Sequence, residues 1–74
     1  MPKLRPVKPE KLIKVLEKLG FVWIRQSGSH AIYRHPDGRW TTVPIHKRKE
    51  VGKGLVHKIL NEAKITLEEF EDIV

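Results

Sequence analysis

A chain of 74 residues without cysteine has room for one domain with one modest core, which excludes a separate cofactor-binding domain, a disulfide framework and a thiolate metal site. Its formal charge of +6 is unevenly spread: fourteen of the fifteen Lys and Arg residues lie at or before Lys58, giving +10 up to that point, whereas the last sixteen residues sum to −4. That asymmetry points to a polyanion partner, and no apolar run approaches the roughly 20 residues of a membrane-spanning helix.

Residues 1–7 are proline-punctuated and read as a loose N-terminal segment of a single domain covering 1–74. No apolar segment follows this Lys/Pro-rich start, so a soluble, cytoplasmic protein is expected. From Pro9 to Leu19, the apolar residues Leu12, Ile13, Leu16 and Leu19 recur at helical steps among lysines and glutamates. Pro9 suits a first helical turn, Val7 is placed to staple against Leu12, and Gly20 supplies the left-handed residue that ends many helices.

Phe21–Gln26 is rich in β-formers, and Ser27-Gly28-Ser29 turns it into a second strand over His30–His35. Phe21, Val22, Trp23 and Ile24 are apolar on both strand faces, so the face away from the helices is open to a partner. Pro36-Asp37-Gly38 is a hairpin signal, and a third strand runs from Arg39 to about Val43, before Pro44. After a basic, glycine-punctuated connection from Lys47 to Gly54, Val56, Ile59, Leu60 and Ala63 mark a second amphipathic helix. Thr66-Leu67-Glu68-Glu69 is a capping box, with Ile65 and Phe70 as its staple, and opens a short last helix. The predicted fold class is α+β, with helices on one face of a small antiparallel sheet.

The Gly28-Ser29-His30 turn is the most informative local feature. An ordinary strand-edge histidine is one reading of His30. The other is a general acid or base: RNA carries its own nucleophile in the 2′-hydroxyl, so cutting it needs proton transfer and positive charge rather than a metal. Arg25, Arg34 and the run Lys47-Arg48-Lys49 are the cations proposed to bind the phosphates, with Ser29 in the turn and Lys53 near the second helix start as further RNA contacts. His46 is a candidate second contact, with a solvated loop histidine as the alternative. His57 is expected to face solvent. His35, His46 and His57 have no recognised ligand spacing, so neither metal nor cofactor is expected. Trp23, Tyr33 and Trp40 are placed either to stack on bases or to pack in the core.

In order along the chain, Leu19-Gly20-Phe21, Gln26-Ser27-Gly28-Ser29-His30, Pro36-Asp37-Gly38, Val43-Pro44-Ile45-His46, Gly54 before Ile59-Leu60, and Ile65-Thr66-Leu67-Glu68-Glu69-Phe70 resemble a HicA-type toxin from about Lys8 to Phe70. The resemblance implies a double-stranded-RNA-binding-domain-like fold of helix, three strands and helix. It also implies messenger-RNA cleavage, a HicB-type antitoxin as inhibitor, and a catalytic histidine that falls on His30. Leu55 stands where the family usually has Thr or Ser. The expected function is therefore a metal-independent endoribonuclease of the toxin type. A non-catalytic RNA-binding module of the same fold and a protein-interaction domain are the alternatives.

Overall fold

The computed structural model describes residues 3–46 and 49–74. Helix α1 (Pro9–Lys18) starts after Lys8, with Pro9 in its first turn, where a missing N–H costs nothing, and it buries Leu12, Val15 and Leu16. The chain turns out of it through Gly20, whose φ of +103° disfavours a side chain. Three strands follow, β1 (Val22–Ser27), β2 (His30–Arg34) and β3 (Trp40–Pro44), paired antiparallel in the order β1-β2-β3. Helix α2 (Lys53–Ala63) and the short α3 (Leu67–Ile73) complete the α+β fold, in the element order that the sequence predicts. Among the described residues no helix is long and apolar enough to cross a membrane.

Alternation along the strands sorts their side chains. Ala31 and Tyr33 of β2 and Thr41 and Val43 of β3 are buried, whereas His30, Arg34 and Trp40 on the opposite side are exposed. The buried side meets Leu12, Val15 and Leu16 of α1 and Val56, Ile59, Leu60 and Ala63 of α2 in one core. Thr41 is the buried polar residue of this layer, and its hydroxyl donates to Glu62 Oε1 at 2.8 Å. Among the described residues the outer side carries no helix.

Val7 exchanges backbone hydrogen bonds with Val51 at 3.0 and 2.7 Å, both side chains are buried, and Arg5 pairs with Glu71 of α3 at 3.1 Å. The Thr66 capping box forms as expected: Glu69 N–H donates to Thr66 Oγ1, and Thr66 N–H donates to Glu69 Oε1, each at 3.1 Å. Ile65 and Phe70 on either side of it are buried.

Four element boundaries differ from the sequence reading. Phe21 precedes β1 rather than starting it, because its ring turns into the core. α2 begins at Lys53, several residues earlier than Val56, since Gly52 is its N-cap. β3 runs Trp40–Pro44 rather than from Arg39. β2 stops at Arg34, and His35, whose N–H still donates to the Arg39 carbonyl at 2.7 Å, opens the hairpin turn. There His35 Nε2 lies 3.1 Å from the Leu19 carbonyl oxygen, and Nδ1 lies 3.1 Å from both the backbone nitrogen and the carboxylate Oδ1 of Asp37. The imidazole meets Phe21 edge-on at 5.2 Å and lies where a Cβ on Gly20 would fall, 3.0 Å from that atom.

Arg39, the residue before β3, closes this corner from the other side of the hairpin. Its guanidinium stands over Phe21, donates to Asp37 Oδ2 at 2.7 Å, and caps the Ala63 carbonyl at the end of α2. Backbone and side-chain donors of Arg39 hold the Asp37 carboxyl below its ordinary range. His35 and Arg39 are thus structural, joining the 35–39 hairpin to α1 and α2.

Candidate nucleic-acid interface

The turn that presents His30 is a two-residue hairpin loop. Ser27 pairs with His30 across it, and Gly28 has a φ of +59°, as in the first position of a type II′ turn. The Ile45 N–H donates to the Ser29 carbonyl at 2.6 Å, extending the β2-β3 ladder one residue beyond the His30–Pro44 pair. His30 is therefore carried on a braced end of the sheet. Its side chain is exposed on the outer face and makes no hydrogen bond among the described residues.

Beside His30 lies a groove between the outer side of β3 and α2. Trp40, Thr42 and Pro44 form one wall, and Leu55, Lys58 and Glu62 form the other. Lys58 thus brings an ammonium to the histidine's own groove, and Glu62 is engaged by the Thr41 hydroxyl. Neither was among the sequence candidates. Their signal was the spacing of Leu55, Lys58, Ile59 and Glu62, which places them on one stripe of α2 flanking its core face.

A second groove crosses the same outer face. It is lined by Ile24, Arg25, Ile32, Arg34, Gly38 and Trp40, so both predicted arginines share one surface. Register explains the meeting: Arg25 pairs with Ile32, and Arg34 pairs with Trp40. Ile24 is the extra residue of a β-bulge between Trp23 and Arg25, which leaves it unpaired and about half exposed. Trp40 lines both grooves.

The remaining candidates are placed elsewhere. His46 and Lys49 line a separate cavity with Lys8, Pro9 and Glu10 at the start of α1, so His46 does not share the groove of His30. Lys53 is exposed as the first residue of α2. Lys47 and Arg48 lie outside the described residues. His57 sits on the exposed side of α2, its Nε2 3.0 Å from Asn61 Nδ2. Tyr33 faces the core, where burial and then the Glu17 carboxylate push its phenol above the ordinary value. Among the described residues no group of three or more His, Asp or Glu side chains is placed to hold a metal ion.

An open, cation-bearing sheet face backed by two helices defines a small α+β domain. The family model for the HicA toxin of bacterial toxin–antitoxin systems matches residues 9–65, from the first residue of α1 to just past α2. The match covers more than half of the chain, and the protein belongs to that family. Its role is that of the toxin in a toxin–antitoxin pair, which implies an antitoxin as partner. No curated protein matches the chain.

Proposed function

We propose that this toxin is an endoribonuclease that cuts messenger RNA on the outer face of its sheet, with His30 as the proton-transfer residue, and that a HicB-type antitoxin silences it. The observation that carries this reading is that His30 and Lys58 line one open groove, next to the groove of Arg25 and Arg34. In the proposed reaction the 2′-oxygen attacks the adjacent phosphorus as His30 takes its proton. The O2′–P bond forms, the P–O5′ bond breaks, and O5′ takes a proton from solvent, leaving a 2′,3′-cyclic phosphate and a 5′-hydroxyl. Lys58 offsets the charge that builds on the phosphoryl oxygens. No step requires a metal ion or a cofactor.

Arg25 and Arg34 hold the flanking phosphates in this scheme, and such pairings release counterions without selecting bases. Replacing both with glutamine is expected to weaken binding to two unrelated single-stranded RNAs alike. It should also flatten the slope of log affinity against log salt by up to about 0.7 for each phosphate left without its arginine. A salt titration of parent and double variant measures this. An unchanged slope would remove the two arginines from the interface.

A further inference from the structure

Trp40 has no structural task that accounts for its place. It is 57% exposed at the start of β3, on the side of the sheet away from the core, and does not pack against the core cluster. It is also the ridge between the two grooves, with Arg25 and Arg34 on one side and His30 and Lys58 on the other. A chain of phosphates that reaches from Arg25 and Arg34 to His30 and Lys58 passes over the indole. Arg34 is its direct cross-strand partner, and the two line one groove, which so holds both an aromatic ring and a guanidinium. That combination takes a base and its phosphate together.

From this juxtaposition we infer that Trp40 stacks on an unpaired base next to the scissile phosphate, so that the substrate is RNA single-stranded at the site of cutting. The inference rests on the ribonuclease reading above. A duplex cannot satisfy it, because its bases are already stacked on one another. Charge favours RNA over a protein as the occupant of this face. Glu62 is the one carboxylate lining either groove among the described residues, and it is engaged by Thr41, whereas Arg25, Arg34 and Lys58 flank the indole. Within the reaction Trp40 is a positioning residue: it fixes which phosphate lies against His30, without moving a proton.

The test uses His30→Ala protein, which leaves RNA intact, carrying Trp23→Phe so that Trp40 is the sole tryptophan. A twelve-nucleotide single-stranded RNA is expected to quench its fluorescence saturably, and a perfectly paired duplex of the same sequence is not. Without the Trp23 change, Trp40→Ala should weaken single-strand binding by about 5- to 150-fold, and Trp40→Phe by less. Trp40→Leu, which keeps an apolar side chain but no ring, should behave like the alanine variant, and melting curves confirm that each variant is folded. Unchanged RNA affinity in folded Trp40→Ala and Trp40→Leu overturns the inference while leaving the ribonuclease reading intact. If those variants instead lose antitoxin binding alone, the indole belongs to the protein interface and the inference also fails. Parent protein that neither binds nor cuts RNA would overturn both.

Discussion

His30→Ala is expected to lower RNA cleavage by about 10²- to 10⁴-fold, the range for loss of a positioned acid or base. It should relieve growth inhibition in cells without antitoxin and leave the melting temperature nearly unchanged. The separation follows from where the residue sits. Its imidazole is exposed and makes no hydrogen bond among the described residues, and the turn beneath it is held by backbone groups, including the Ile45 to Ser29 bond at 2.6 Å. His30→Gln, which can hydrogen-bond but cannot exchange a proton near neutral pH, should be as inactive as alanine. Cleavage rates, RNA affinity and melting curves for the three proteins decide the matter. Folded variants with full activity would exclude proton transfer by His30.

Leu12→Ala is expected to act on the opposite link, abolishing activity by unfolding the domain. Leu12 is 1% exposed and lies in the single core formed by α1, α2 and the inner sheet face. Truncating such a leucine costs about 2–5 kcal/mol. A domain this small has little margin, since native stabilities start near 5 kcal/mol and short chains bury proportionally less surface. The midpoint of thermal unfolding should fall by roughly 10–40 °C, at about 4–8 °C per kcal/mol for a chain of this size. Circular dichroism melting measures it directly. A shift of only a few degrees would mean that α1 is not integral to the core.

Local chemistry made the element order legible. The Pro9 start, the Gly20 stop, the Gly28-Ser29 and Pro36-Asp37-Gly38 turns and the Thr66 capping box each specify a boundary through backbone conformation or a short-range hydrogen bond, and the structure uses all of them. Long-range consequences were not legible. The β1 bulge depends on how its residues register against β2, and no period within Val22-Trp23-Ile24 reveals it. His35 resembles any other histidine after a strand until α1 brings the Leu19 carbonyl to its Nε2. The candidate site divides in the same way. His30 was readable from its turn, and Arg25 and Arg34 from charge. Lys58 was not, because only the packing of α2 against β3 brings it to the histidine. Packing likewise parts His46 from His30: the chain beyond Ile45 turns toward the start of α1, although the two histidines lie near the same end of the sheet.

The most direct measurement is cleavage of a 5′-labelled single-stranded RNA by pure, antitoxin-free protein in excess chelator, beside the same RNA carrying a single 2′-deoxy nucleotide at the mapped cut. With the 2′-hydroxyl as nucleophile and His30 as its base, the all-ribose strand is cut to a 2′,3′-cyclic phosphate end and the cut vanishes at the deoxy position. Cleavage that persists there, or that needs a divalent ion restored, would contradict acid–base chemistry at His30, and an intact all-ribose strand would remove the ribonuclease altogether.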